Sequence, residues 1–148
     1  MTALQGSTEL KRFALCSEFS DEDRDALFDL LEPASVPKGR SIYRESGEGD
    51  SLVMIVSGSV RMSSTRGESL GTLSEGDVLG ITSVLAAGRR VATAKAETDC
   101  EVLLLARTAY RRLLEDHPRA GCRLTEAIAA HLAGLLRESL DQLLPPST

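Results

Sequence analysis

The chain has 148 residues, 42% of them hydrophobic, and a formal net charge of −5, which indicates one soluble globular domain. The acidic balance argues against broad electrostatic binding to DNA, RNA or anionic lipid. No apolar run reaches the roughly 20 residues that span a bilayer, and the first residues lack the apolar core of a signal peptide. We therefore expect a cytoplasmic protein without membrane insertion.

The amino-terminal part, residues 1–32, is predicted to be helical. A short helix is expected over residues 8–16. A second helix should begin where Ser20 can cap a first turn that is rich in acidic residues, and Pro33 should end it.

Residues 33–107 change to the period of β-strands. Short apolar segments separated by glycine-containing turns predict a jelly roll or β-roll of about eight strands, so the fold class is mainly β. The segments 52–56 and 59–62 flank the dipeptide Ser57-Gly58, which predicts a tight hairpin.

Residues 108–148 are predicted to be helical again, and the three parts would form one domain. Thr108 can cap a helix that breaks at His117-Pro118. A longer helix over 119–144, stopped by Pro145-Pro146, carries apolar residues at three- and four-residue steps.

The long C-terminal helix raises the question of oligomeric state. A helix of about 26 residues is about 39 Å long, which is longer than a small barrel can cover. We therefore expect part of its apolar stripe to pair with a second copy, giving a homodimer. The alternative is that the helix folds back entirely onto its own barrel.

Residues 76–93 form a glycine-and-arginine cassette that predicts a small phosphate site. A turn leads to Gly80, and a short helix bearing Thr82 and Ser83 follows, so backbone N–H groups can approach an anion. Arg89 and Arg90 can close over the same anion with their planar guanidinium groups. The alternative is a turn without a ligand and a solvated pair of arginines.

Five short motifs follow one another at fixed spacing, at residues 47–52, 56–60, 76–80, 90–93 and 100–102. In this series the chain resembles the cyclic nucleotide-binding domain, the sensory half of the cAMP-receptor and FNR type of regulators. The similarity runs from about Leu27 to Leu140.

The resemblance implies a mechanism and a set of site residues. The phosphate of cAMP or a related cyclic nucleotide would lie on backbone N–H groups near Thr82 and Ser83 and pair with Arg90. Rearrangement of the cassette would then move the long helix. The residues that would contact the ligand are Gly80, Ile81, Thr82, Ser83, Arg89, Arg90, Val91 and Ala92.

Four positions depart from the family pattern. Ile81 stands where members that bind nucleotide carry a glutamate for the ribose 2′-hydroxyl, and a buried unpaired hydroxyl costs on the order of 1–3 kcal/mol. Val91 offers only its backbone N–H where serine or threonine is common. The positions that touch the purine fall near Leu135 and Leu136, which are apolar. A different phosphorylated ligand is therefore an open alternative.

Catalysis and metal binding are not expected. The chain has no nucleophile elbow and no complete phosphate-loop motif. A cupin enzyme would share the β-roll, but it needs several histidines and a carboxylate that converge inside the barrel, and neither His117 nor His131 lies on a predicted strand. The three cysteines are far apart, which excludes a disulfide framework or a closely spaced metal site.

We expect a regulatory, signalling domain that senses a phosphorylated small molecule. Regulators of the related family carry a helix-turn-helix after the long helix, and only Pro145 to Thr148 follow it here, so we expect no direct DNA binding. The alternative is a ligand-independent dimerisation and docking module for a protein partner such as a transporter or signalling enzyme.

Overall fold

The computed structural model describes residues 6–144, which form ten strands, three α-helices and three short 3-10 helices. The strands are β1 (Glu32–Val36), β2 (Ser41–Tyr43), β3 (Glu48–Gly49), β4 (Ser51–Ser57), β5 (Val60–Ser63), β6 (Ser69–Leu73), β7 (Val78–Leu79), β8 (Gly88–Arg89), β9 (Thr93–Ala96) and β10 (Cys100–Ala106). The 3-10 helices are Gly6–Arg12, Ala14–Cys16 and Ile81–Val84, and the α-helices are α1 (Asp21–Phe28), α2 (Arg107–Asp116) and α3 (Pro118–Leu143).

Two four-stranded antiparallel sheets form the roll. Their strand orders are β1-β10-β4-β7 and β2-β9-β5-β6, and β3 and β8 form a separate two-stranded ribbon. The predicted mainly β roll, with N-terminal helices and a long C-terminal helix, is confirmed. The number of strands within residues 6–144 is ten rather than about eight, because segments of two residues also pair.

Strand β4 explains how the layers are joined. Its apolar run is buried on both faces, as is typical of a strand at the centre of three layers. Val53 and Ile55 point into the core between the two sheets, whereas Leu52 and Met54 point to the opposite side, into the core beneath the helices. One short strand therefore fixes both hydrophobic cores.

The predicted hairpin across Ser57-Gly58 is wrong. Strand β4 pairs with β7 and β10, whereas β5 pairs with β6 and β9 in the other sheet. Gly58 has φ +97°, and a Cβ there would lie 2.6 Å from the carbonyl oxygen of Asp99, so the chain uses glycine to cross between sheets. Strands β4 and β10 each have seven residues, whereas β5 has four. Pairing with β10 therefore gives β4 more interstrand hydrogen bonds than a hairpin with β5 would.

The N-terminal cap is confirmed, but the helix it starts is shorter than predicted. Ser20 Oγ accepts a hydrogen bond from the Asp23 N–H at 3.1 Å, and the Asp23 carboxylate accepts one from the Ser20 N–H at 3.0 Å. Helix α1 ends at Phe28. Pro33 lies in the edge strand β1, where a missing N–H is tolerated. The predicted helix over 8–16 is two 3-10 segments.

The C-terminal helices begin slightly earlier than predicted. Helix α2 starts at Arg107 directly after β10 and has no side-chain cap, so the predicted capping role of Thr108 is wrong. Pro118 occupies the first turn of α3, which confirms the break before it. The predicted stop at Pro145-Pro146 lies outside the described residues. None of the helices within residues 6–144 is long and apolar enough to cross a membrane.

Candidate anion site at Arg90

The backbone around Arg90 is held by the β3–β8 ribbon. The Arg90 N–H donates to the Gly47 carbonyl at 2.7 Å, and the Ser46 N–H donates to the Arg90 carbonyl at 2.8 Å. Neighbouring residues of an extended segment point to opposite sides, so Arg89 and Arg90 cannot both face inward. Arg90 is buried, with 7% of its surface exposed, whereas Arg89 is exposed and donates to the Ser46 carbonyl at 2.9 Å.

The Arg90 guanidinium makes a defined set of contacts. Its Nη1 donates to Ser83 Oγ at 2.9 Å, and its Nη2 donates to the Ser51 carbonyl at 2.9 Å and to Ser51 Oγ at 3.2 Å. The Arg90 Cζ lies 4.0 Å from the centroid of the Tyr43 ring, which is a cation–π contact. The Arg90 Nε is buried and has no hydrogen-bond partner within the described part of the chain.

No salt bridge among the described residues neutralises this buried charge. Among residues 6–144, Arg90 forms no salt bridge, and its hydrogen-bond partners are all neutral oxygens. Burial lowers the pKa of Arg90, and the negative potential of Asp50 opposes that shift. An arginine nevertheless stays protonated in proteins, so the site keeps a positive charge that is costly to bury alone. An anion bound there would offset that cost.

Gly80 allows the guanidinium to approach the cassette. Its φ of +66° lies in the left-handed region, and a Cβ would overlap Arg90 Nη1 and lie 3.0 Å from the Ser51 carbonyl oxygen. The 3-10 helix that follows turns the Ser83 side chain toward Arg90. The Ser83 N–H donates to the Gly80 carbonyl at 3.0 Å, so this amide does not have the predicted role of an open anion donor.

A cavity of about 250 Å³ lies beside the cassette. Seven of the eight residues that the sequence assigned to the site line it: Gly80, Ile81, Thr82, Ser83, Arg89, Arg90 and Val91. The eighth, Ala92, is buried and does not line the cavity. Val91 lines the cavity although it is 87% exposed.

Other elements complete the cavity with residues that sequence reasoning missed. They are Tyr43, Met62, Leu73, Val78, Leu79, His131 and Leu132. Leu135 also lines the cavity, as expected from the resemblance, but its neighbour Leu136 does not and is 60% exposed. Ser51 lies within the motif 47–52, which is the one sequence signal that could have pointed to a contact with Arg90.

Arg107 connects the cassette to the C-terminal helices. Its Nε donates to the Ser83 carbonyl at 2.8 Å, and its Nη2 donates to the carbonyls of Gly49 and Ala86. Ser83 is therefore held from two sides, with its hydroxyl bonded to Arg90 and its carbonyl bonded to Arg107. Because Arg107 is the first residue of α2, this hydrogen bond joins the cassette to the start of that helix.

The remaining chemistry-bearing residues do not form a second centre within residues 6–144. No group of three or more histidine, cysteine, aspartate or glutamate side chains there is placed to hold a metal ion. The three cysteines are free; Cys16 and Cys100 are buried and Cys122 is exposed. Burial raises the pKa of Cys16 to about 12, so this thiol is a packing group rather than a nucleophile.

Comparison with known families agrees with this geometry. The model of the family described as "Cyclic nucleotide-binding domain" matches residues 33–117, which is more than half of the chain. The chain belongs to the cyclic nucleotide-binding domain family. Members of this family are regulatory ligand-binding domains, and the matched range contains both the β3–β8 ribbon and the cassette.

Individual relatives support the family assignment. The "Cyclic AMP receptor protein" of Thermus thermophilus is 31% identical over 134 residues, which are 88% of this chain and 60% of that protein. The structure of the Thermus thermophilus catabolite activator protein has a TM-score of 0.79 and 30% identity, covering 88% of this chain and 61% of that one. The chain thus spans about three fifths of the length of these relatives.

A third comparison shows the fold alone. The structure of a cyclic nucleotide-binding domain from Methylobacillus flagellatus has a TM-score of 0.83 and covers 99% of this chain and 89% of that one. Its identity to this chain is 22%, so the likeness concerns the arrangement of strands and helices.

Proposed function

We propose that this domain is a regulatory module that binds a phosphorylated small molecule through Arg90. The observation that carries the proposal is a guanidinium that is 7% exposed, has only neutral hydrogen-bond partners among residues 6–144 and lines a cavity. A phosphate would supply the missing negative charge and accept charge-assisted hydrogen bonds. The cyclic AMP receptor protein among the relatives makes cAMP and related cyclic nucleotides the first ligands to test.

Binding would change the hydrogen bonds that join Ser83 to two arginines, Arg90 and Arg107. A phosphate at Arg90 competes with Ser83 Oγ for the same guanidinium, so Ser83 would shift or lose this bond. The Ser83 carbonyl accepts a hydrogen bond from Arg107 at the start of α2, so a shift of Ser83 would also change the contact between the cassette and the C-terminal helices. Binding would thereby change the position of α2 and α3, which is the regulatory signal of the module.

The adjacent arginines offer a matched test. We expect Arg90→Ala to weaken binding by at least about tenfold, because a charged hydrogen-bond donor contributes about 1.5–3 kcal/mol. Arg89→Ala, in the same loop but exposed, should change affinity by less than about threefold. Calorimetry with cAMP, cGMP and a cyclic dinucleotide measures both variants against wild type.

Two results would contradict the binding proposal. Equal affinity of wild type and Arg90→Ala for the same nucleotide would remove Arg90 from the site. A melting temperature unchanged by cyclic mono- and dinucleotides and by inorganic phosphate would favour the ligand-independent docking module for a protein partner.

We also infer that the domain forms a homodimer through the C-terminal half of α3. Leu136, Leu140 and Leu143 are 60%, 47% and 80% exposed and recur at four- and three-residue steps, so residues 6–144 leave one apolar side of the helix uncovered. Light scattering should give a dimeric mass. Replacing these three leucines with glutamine should give a monomer, whereas Arg137→Gln with Glu138→Gln should stay dimeric. A monomeric wild type at micromolar concentration would contradict the inference.

Direct DNA binding is not part of the proposed function. The net charge of −5 disfavours contact with a phosphate backbone. The basic side chain that is central to the module, Arg90, is buried and therefore cannot contribute to a DNA-binding surface.

A further inference from the structure

A groove of about 610 Å³ lies between α3 and the segments 14–18 and 76–78, whereas the cavity beside Arg90 measures about 250 Å³. We call it the α3 groove. Its volume falls in the range of about 300–1,000 Å³ that is typical of sites for small organic molecules. The two cavities share Val78 and His131, and their other lining residues within the described part of the chain differ. The α3 groove is therefore a candidate site separate from the phosphate site of the proposed function.

Part of the wall of the α3 groove is apolar. All three segments contribute to it, with the side chains of Ala14, Leu15, Val78, Ala127 and Ala130. Ala127 is half-buried and Ala130 is exposed, so residues 6–144 leave this part of the helix open. A molecule with an apolar body would remove this surface from water, which favours its binding.

Three carboxylates line the same groove, one from each segment: Glu18, Asp77 and Glu126. None of the three forms a salt bridge with another of residues 6–144. The Asp77 carboxylate accepts a hydrogen bond from the Ser74 N–H at 2.9 Å, and this neutral partner does not cancel its charge. A ligand in the groove therefore lies near negative charges from all three segments.

The other polar side chains that line the groove do not balance these carboxylates. Arg123 forms a salt bridge with the buried Asp23, so its positive charge is already neutralised. Ser17 is uncharged, and His131 adds an uncharged hydrogen-bonding group when its imidazole is neutral. The groove thus combines an apolar wall with a net negative charge.

We propose that the α3 groove binds a small organic cation, an ammonium ion attached to an alkyl or aryl group. The carboxylates attract the ammonium group and accept hydrogen bonds from it, and the apolar wall packs against the organic group. The ligand would contact α3 at Ala127, Ala130 and His131. Because His131 also lines the cavity beside Arg90, the groove would give the domain a second input on the same helix.

Three small probes separate the charge of the ligand from its apolar group. Phenethylamine carries an ammonium and a phenyl group, phenylpropionate carries a carboxylate and a phenyl group, and ethylamine carries the ammonium without the ring. We expect phenethylamine to bind at least about tenfold more tightly than either of the others, because only it matches both features of the groove. An NMR titration of the isotope-labelled protein measures the three affinities, and the amide shifts should be largest in residues 14–18, 76–78 and 123–131. No binding of phenethylamine, equal binding of phenylpropionate, or larger shifts elsewhere would overturn the proposal.

Two carboxylates of α3 supply a matched pair of variants. Glu126 lines the groove, whereas Glu138 does not, and both are exposed, so glutamine is tolerated at either position. Each substitution removes one negative charge from the protein. We expect Glu126→Gln to weaken phenethylamine binding by about threefold or more, and Glu138→Gln to change it by less than about 1.5-fold. Equal losses would show that the net charge of the protein, rather than the groove, attracts the amine.

The Arg90→Ala variant separates the amine site from the phosphate site. Arg90 does not line the α3 groove, so this variant should bind phenethylamine as tightly as wild type. Amine binding that persists where phosphate binding is absent would support the groove and contradict only the proposed function. Phosphate binding without amine binding would contradict only the groove. Loss of amine binding in Arg90→Ala would place the amine in the cavity beside Arg90 and overturn the separate site.

Discussion

Two charged side chains that the fold buries, Asp23 and Arg90, are held in opposite ways. The Asp23 carboxylate, in the N-terminal cap, accepts a hydrogen bond from the Ser20 N–H at 3.0 Å and forms a salt bridge with Arg123 of α3. The Arg90 guanidinium, in the cassette, has neutral partners, and its Nε has no hydrogen-bond partner among the residues that the structure describes. Their exposed fractions are similar, 5% and 7%.

The pKa shifts express the same contrast. Burial raises the pKa of Asp23, but the hydrogen bonds from Ser20 and the charge of Arg123 lower it by more, so it falls below its usual value. For Arg90, burial is the largest influence and lowers the pKa. The fold therefore neutralises the charge that it uses for its own stability. It leaves unneutralised the charge that we assign to a ligand.

Removal of Asp23 should have the largest effect on stability. Asp23→Ala leaves Arg123 and the Ser20 N–H without partners, and we expect it to lower the free energy of unfolding by about 3 kcal/mol, since Arg123 is partly exposed. Urea unfolding measures the loss. The control is Asp21→Ala, whose side chain is 90% exposed and pairs with Arg24; it should cost less than about 1 kcal/mol. Equal losses would remove the special role of Asp23.

Gly80→Ala should follow in size. The left-handed backbone and the overlap with Arg90 Nη1 should cost about 2 kcal/mol and displace the guanidinium, so phosphate affinity falls as well. Gly134→Ala is the control, because that glycine lies within α3 with open space around it, and alanine there should stabilise by about 0.5–1 kcal/mol. Unfolding curves and calorimetry on both variants test the pair. A Gly80→Ala variant with unchanged affinity would show that the guanidinium need not approach so closely.

Acid should remove part of the Asp23 contribution. Because the folded-state pKa lies below the unfolded value near 3.8, the stabilisation is complete above that value and is lost as the pH falls through the folded-state pKa. The stability difference between wild type and Asp23→Asn, measured by urea unfolding from about pH 6 to about pH 2, should therefore shrink at the acid end. A difference independent of pH would mean that the carboxylate charge does not contribute.

Arg90→Met should have the smallest effect on stability. The variant loses hydrogen bonds to neutral oxygens but also removes an unpaired buried charge, so we expect the free energy of unfolding to stay within about 1 kcal/mol of wild type. Phosphate binding should nevertheless be lost. A destabilisation as large as that of Asp23→Ala would make Arg90 a structural group and would contradict its assignment to a ligand.

Local patterns in the sequence predicted much of the fold. The apolar run 52–56 indicated a strand, and Ser20 with the acidic turn after it indicated the start of α1; both depend on neighbours in the chain. The cassette was likewise predicted from adjacent residues. The residues alone left Arg89 and Arg90 both as candidates, and the choice of Arg90 followed from the family resemblance.

Contacts between distant residues could not be predicted in the same way. The partner of β4 is β10, almost 50 residues away, and a turn signal at Ser57-Gly58 does not distinguish a hairpin from a crossing between sheets. Two contacts at the site could not be predicted for the same reason: Tyr43 contacts Arg90, and Leu132 lines the cavity. Both depend on which strands and helices pack together.

The sequence by itself determined the order of the elements, the two-faced strand β4, the capped α1, the period of α3 and the residue type at each position of the cassette. Only the tertiary structure decided that Leu124 and Ile128 of α3 are fully buried while Leu136 is exposed. It also decided that Arg90 is buried and forms no salt bridge with any other of residues 6–144. The physical reason is that hydrogen-bond periods and caps act between near neighbours in the chain. Burial and charge neutralisation depend on every group that folding brings near.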